Sequence, residues 1–234
     1  MRFNPDHVSR EVGPDGVEHT YVNGSLAVRM FVIFAAAYIM SYAFRAINAV
    51  IAQPLVAELG LSAGQLGFLA SAYFLSFALM QLPVGVMLDR YGPRRVEAVL
   101  IGFAALGALL FAVADSYSVL WLGRALIGVG VSACLMAAVK AYSLYFRPHL
   151  QASLSSWMLV AGSLGALTVT TPVEAALPLL GWRGVFGLAA VLCVLAGLAL
   201  WFALPALFKP QKAQSVGDMA QGYRAIYAHP HFWR

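Results

Sequence analysis

Six stretches of sustained apolar character divide the chain, at residues 27–52, 66–88, 96–114, 119–142, 152–175 and 183–204. Each is close to the ~20 residues that an α-helix needs to cross about 30 Å of hydrocarbon. The connections are polar or helix-breaking: 58–65, the charged turn after Gly85, 115–118, Arg147-Pro148-His149 and 178–183. In the turn, Gly92-Pro93 cannot continue a helix, and Asp89, Arg90, Arg94 and Arg95 cannot sit in hydrocarbon, so it is read at a membrane surface. The pattern predicts an all-α transmembrane protein, a six-helix bundle over 27–204. A polar N-terminal tail, 1–26, precedes the bundle and a polar segment, 205–234, follows it. The tail lacks the apolar core of a signal peptide.

Composition narrows the class. Of 234 residues 61% are hydrophobic and 11% charged, against about a quarter charged in soluble domains. The net charge of +5 raises the question of nucleic acid. The basic residues are scattered among loops and helix ends without forming a basic face, so no nucleic-acid partner is expected. Cys134 and Cys193 fall inside apolar stretches without metal spacing and read as small core residues. Met80, Met87, Met136 and Met158 with Cys134 are soft ligands of the kind copper takes, but scattered core methionines are the ordinary reading. No metal or cofactor is expected. Neither paired carboxylates, a Ser/His/Asp set nor a phosphate loop can be assembled, and the five histidines lie in tails or loops, so the chain is not read as an enzyme.

Lys and Arg set the orientation. With the N-terminus inside, Arg2, Arg10, Arg29, Arg90, Arg94, Arg95, Arg147, Lys209, Lys212, Arg224 and Arg234 fall on the cytoplasmic side, while the outer connections hold only Arg183. The expectation is a multi-pass protein of a plasma membrane, the bacterial inner membrane, with both termini cytoplasmic. Tyr91-Gly92-Pro93-Arg94 and Leu180-Gly181-Trp182-Arg183 occupy opposite sides, which suits a 3+3 inverted repeat.

An ionisable group inside a span costs at least a few kcal/mol and normally faces a cavity or a partner. Arg45 lies sixteen residues beyond Arg29, about 24 Å along a helix, too far to snorkel to the inner surface. Tyr38, Ser41, Tyr42, Arg45, Asn48 and Ala52 share an arc of about 120°. This polar stripe predicts a cavity face, with Tyr38, Tyr42, Arg45 and Asn48 binding the carboxylate or phosphate of an anionic substrate. The competing reading pairs Arg45 with a carboxylate of a neighbouring helix or lets it reach the outer interface. Arg124, near the outer start of the fourth span, is assigned with Glu174 to coupling. Lys140 lies about 160° around the helix from Arg124 and reads as a cytoplasmic-end anchor. Thr168, Thr170 and Thr171 precede Pro172, where a bend is expected. Glu174, just beyond it, is read as the one acidic side chain inside or ending a span besides Asp89, hence the candidate proton site; a solvated interfacial carboxylate is the alternative.

The run Gly85-Val86-Met87-Leu88-Asp89-Arg90-Tyr91-Gly92-Pro93-Arg94-Arg95 resembles the loop between the second and third helices of the major facilitator superfamily. Arg124-x-x-x-Gly128-x-Gly130, Tyr145-Phe146-Arg147-Pro148 and Gly181-Trp182-Arg183-x-x-Phe186 resemble that family's later motifs, in its order, across 27–204. The resemblance implies a secondary transporter working by alternating access. It also implies that Gly85, Asp89, Arg90, Gly92, Arg94 and Arg95 form a cytoplasmic latch between two halves. The first-helix arginine resembles members that carry organic anions or phosphorylated solutes. Lys140 has no place in the motifs, and the fifth span lacks the Gly-Pro pattern of drug antiporters. Family members have two six-helix halves and this chain supplies one. Its expected partners are therefore the lipid bilayer, a small-molecule substrate and a second half, which is the same polypeptide beyond 234, a separate chain or a homodimer. A non-transporting assembly subunit of a larger membrane complex is the alternative function.

Overall fold

The computed structural model describes residues 8–12 and 18–208. Among these, five apolar helical runs are long enough to cross a membrane: Gly24–Val50, Ala63–Tyr91, Pro93–Ala112, Tyr117–Tyr145 and Pro148–Ala203. The last, at 56 residues, is about twice the length of one crossing. It contains the fifth and sixth expected spans, reversed at Gly181, whose φ of 64° and ψ of 173° only glycine adopts without strain. The expected non-helical connection at 178–183 therefore shrinks to one residue. Pro172 and Pro178 both stay within helical φ/ψ.

The elements in order are a hairpin, β1 (Val8–Val12) and β2 (Glu18–Val22), then α1 (Gly24–Val50), α2 (Ala52–Leu59), α3 (Ala63–Tyr91), α4 (Pro93–Ala112), α5 (Tyr117–Val131), α6 (Cys134–Tyr145) and α7 (Pro148–Leu198), closed by a π turn at Ala199–Ala203. The antiparallel hairpin pairs Val8 with Val22 and Val12 with Glu18, inside the polar N-terminal stretch. Arg147 Nη2 donates to Glu11 Oε1 at 3.0 Å, tying the hairpin to the α6–α7 turn. Of the polar segment 205–234 only 205–208 are described. Its basic residues, with Arg2, lie outside the described residues.

Local chemistry sets the helix ends. Ser62 caps α3: its Oγ accepts from Gln65 N at 3.2 Å, and Gln65 Oε1 accepts from Ser62 N at 2.9 Å, a reciprocal pair that satisfies two otherwise orphaned donors. Gly92, at φ 80°, separates α3 from α4, and Pro93 opens α4 where its missing N–H costs nothing. The fourth span is jointed at Ser132, where Ser132 Oγ donates back to Val129 O at 2.6 Å.

Helix α4 is central, packed against α5 and α7, while α1 lies on α7 and α3 on α5. Backbones meet closely where residues are small. Gly107 and Gly123 face each other across α4 and α5, and Gly130 lies on the Ala104 backbone, the small-residue contact by which membrane helices approach. Large apolar side chains point outward, among them Leu82 at 82% and Leu179 at 85% exposure, a surface suited to lipid or to further helices rather than water.

Candidate functional site

Arg45 sits five residues before the end of α1, about 8 Å along its axis. It is half-buried, and three rings surround its guanidinium carbon: Tyr42 at 5.0 Å, Tyr73 at 5.9 Å and Phe77 at 4.9 Å to the centroids. Arg45 Nε donates to Tyr73 Oη at 3.1 Å, and the Tyr73 hydroxyl donates onward to Ser41 O at 3.2 Å. The carboxylate partner that the competing reading required is absent among the described residues. Aromatic faces stabilise a cation without neutralising it, so the remaining N–H groups keep full charge and donor capacity.

Arg124 enters the same cleft from α5. It is 1% exposed, donating through Nη1 to Phe44 O at 3.1 Å and through Nη2 to Asn48 Oδ1. Phe111 and Phe186 flank its guanidinium carbon at 5.1 and 5.4 Å. A small cleft is lined by both arginines with Phe44, Asn48, Ala70, Tyr73 and Phe74. The structure thus gathers Arg45, Tyr42, Asn48 and Arg124. Tyr38 is buried beneath, its hydroxyl 3.4 Å from that of Tyr42 and both rings against Gly162, where a Cβ would lie 2.6 Å from Tyr38 Cε1. Tyr73 and Phe77 complete the basket and escaped the sequence reading, since an aromatic in an apolar span carries no pattern of its own.

At the end of the bundle that carries the charged turn, Asp89 pairs with Lys140, Oδ1 to Nζ at 2.7 Å. Lys140, read as a cytoplasmic-end anchor, stands at that end as a partner of this turn. Both side chains are partly exposed, so the pair is worth about 0–1 kcal/mol. Gly85 lines the groove beside them, Arg90 lies over Tyr91, and Arg94 over Trp201 at 5.7 Å. Arg95 is exposed and Gly92 is buried.

Glu174 is exposed on α7, and it is not the only acid within a span besides Asp89. Glu97, on α4, is 0% exposed and neither carboxyl oxygen has a hydrogen-bond partner among the described residues. It is the second residue of the third apolar stretch, 96–114.

The opposite end is clasped by Glu58, which accepts from Trp182 Nε1 at 2.6 Å and from Arg183. Arg183 also donates to Ala114 O at 3.0 Å and lies 3.3 Å from Asp115 Oδ1. The Trp182 indole and then Arg183 hold the Glu58 carboxyl below the usual carboxylate range. A carboxyl lowered on folding contributes stability above its ordinary value and loses it as pH falls through the lowered one. Thermal stability is therefore expected to hold from neutrality to about pH 5 and to fall below about pH 4. In Glu58→Gln that fall should shrink; an identical acid limb in both proteins would remove the clasp from this account.

Residues 33–233 match the family model of the Major Facilitator Superfamily. The chain is 29% identical over 196 residues to a probable L-galactonate transporter of Escherichia coli (strain K12), covering 82% of this chain and 43% of that protein. It is 29% identical over 212 residues to a probable nitrate/nitrite antiporter of Thermus thermophilus, covering 85% and 47%. It is 30% identical over 154 residues to a probable sulfoacetate transporter of Cupriavidus necator, covering 64% and 35%. The chain thus spans about half the length of the curated relatives it matches, or less. Among solved structures, a bacterial homologue of the human lysosomal transporter Spinster, inward-facing and unoccupied, superposes with a TM-score of 0.70 at 20% identity, covering 90% of this chain and 51% of that one. The inward-open xylose transporter of E. coli superposes with a TM-score of 0.63 at 18% identity, covering 88% and 57%. With the motifs in order on a matching bundle, the chain belongs to the Major Facilitator Superfamily and is a multi-pass integral membrane protein.

Proposed function

We propose that the protein is a secondary active transporter that carries a small organic anion, coupled to a proton, by alternating access between this six-helix half and a second one. The carrying observation is Arg45: a half-buried cation with no carboxylate against it among the described residues, fixed by Tyr73 and walled by three aromatic rings. Arg124 adds a second buried charge to the same cleft. Two cations in a low-dielectric cleft favour an anion strongly, and Arg presents the planar fork that a carboxylate accepts. The relatives named for L-galactonate, nitrate/nitrite and sulfoacetate are named for anions, which supports the reading.

In this reading Tyr42 and Arg45 face the substrate, Asn48 holds Arg124, and Tyr38 backs Tyr42. The charged turn lies on the cytoplasmic side, where the positive-inside rule puts it. The Asp89–Lys140 pair with Arg90, Arg94 and Arg95 there forms a latch toward the second half. Uptake of labelled L-galactonate, sulfoacetate and nitrate into membrane vesicles tests the proposal. Arg45→Ala should lower uptake of the transported anion at least ~10-fold, the worth of one charged hydrogen bond. Undiminished uptake by Arg45→Ala would remove the site, and transport of none of these anions by the wild-type protein would favour the assembly-subunit alternative.

A further inference from the structure

Glu97 is a titratable group that the proposed transport site does not use. It is fully buried within the bundle; neither carboxyl oxygen has a well-formed hydrogen bond among the described residues, and the weak S–H donor of Cys134 is the polar group set against it. A carboxylate in that position forfeits its hydration with no charge in return, and this is the circumstance in which a group neutralises. The groups that face it are few. From α6 they are the Cys134 thiol and the Tyr142 hydroxyl, and from α7 the Cys193 thiol stands beside that of Cys134. All three are neutral hydrogen-bonding groups. The π turn presents Trp201 and no titratable side chain.

One helical turn toward the charged end of α4 stands Arg94. Among the described residues it makes no ion pair; Arg95 and Tyr145 are its nearest titratable neighbours, and its Nε is buried without a partner. Residues three apart on a helix lie side by side, so Arg94 and Glu97 can meet without any movement of the backbone. A cavity of 20 Å³ lined by Phe34, Pro93, Arg94, Tyr145 and Leu204 opens at this end of α4. That is room for a water molecule, about one turn from the carboxyl. Two orphaned polar groups of complementary charge, with a water-sized cavity beside them, are a proton-exchange arrangement with its counter-ion in reach.

We propose that Glu97 is a proton-exchange site of this half, a neutral acid while the bundle is closed around it and an ion pair with Arg94 once its proton has passed to water at the α4 end. Proton occupancy at Glu97 then sets whether Arg94 is available to the latch or drawn inward. The second statement rests on the latch reading; the first does not. The assignment gives the coupling proton a site on α4, where the sequence reading had looked to Glu174.

The test uses the purified protein in lipid nanodiscs. Infrared spectra at pH 7 should show a protonated-carboxyl C=O band that is lost in Glu97→Gln, an isosteric change that removes titration and keeps the fold. Raising the pH should abolish that band in the wild type and, as Arg94 leaves the Trp201 ring, shift tryptophan emission. The shift should be absent in both Glu97→Gln and Trp201→Phe. Superimposable wild-type and Glu97→Gln spectra at pH 7 would overturn the site, and the same emission shift in Glu97→Gln would overturn the exchange with Arg94. The latch is read separately, through Asp89→Asn: slowed transport is expected. Unchanged transport, with the infrared band and emission shift both intact, would overturn the link to the latch and leave the proton site standing.

Discussion

Arg124→Met is expected to leave the protein as stable as wild type, or more so, while transport falls about 100-fold. Arg124 is 1% exposed, and among the described residues its only polar partners are the Phe44 carbonyl and the Asn48 side chain, with Nε unpartnered. Burying a cation without a counter-charge costs several kcal/mol, which an apolar side chain of similar volume avoids, against about 1–3 kcal/mol for leaving the Asn48 acceptor unpaired. Methionine fills the space between Phe111 and Phe186 and carries no desolvation penalty. On the proposed function transport moves the opposite way, because an anion in the cleft would supply the missing counter-charge. A ligand that binds only the folded state at about 100 times its dissociation constant adds about 2.7 kcal/mol of stability. That ligand-dependent rise in thermal midpoint should be present in wild type and absent in Arg124→Met. A large drop in the unliganded midpoint of Arg124→Met would show that the arginine is a structural strut and not a binding group.

Gly130→Leu is expected to abolish folding outright. The glycine lies against the Ala104 backbone, and a backbone obstruction cannot be relieved by rotamer change, so the cost exceeds the ~1–3 kcal/mol typical of overpacked side chains. The α4–α5 crossing through Gly107 and Gly123 would be forced apart, and with it the position of Arg124. Gly102→Leu is the control, since a Cβ at Gly102 meets nothing within 4 Å. Detergent-solubilised Gly130→Leu should run as aggregate on size-exclusion chromatography, whereas Gly102→Leu should run as wild type. A monodisperse Gly130→Leu would mean that the helices are not as close as described.

What could be read from the sequence follows the range of the interactions involved. The spans were legible because hydrocarbon imposes length and polarity on every residue. Arg45 was legible because a guanidinium in an apolar run is anomalous whatever surrounds it. Its ring of Tyr73 and Phe77 was not, because these sit on a different helix, 28 and 32 residues on, among other aromatics. Lys140 is assigned from its angle to Arg124 in the same apolar span, and angle alone says nothing of Asp89 on α3. Glu97 was passed over because a charge near a span boundary looks solvated until the neighbouring helices are placed. The 178–183 connection reads as a loop because Pro178, Gly181 and Arg183 cluster there, yet helical geometry persists on both sides of Gly181.

The most direct test of the central claim, that Arg45 and its aromatic basket bind a small organic anion, is equilibrium binding of that anion to purified protein. Labelled L-galactonate and sulfoacetate would be titrated against wild type, Arg45→Gln and Arg45→Lys, with uncharged galactose as control. The account predicts saturable binding of at least one anion by wild type and none of galactose. It also predicts a loss of at least ~10-fold in Arg45→Gln and partial retention in Arg45→Lys, which keeps the charge without the fork. Equal affinity in wild type and Arg45→Gln would contradict it.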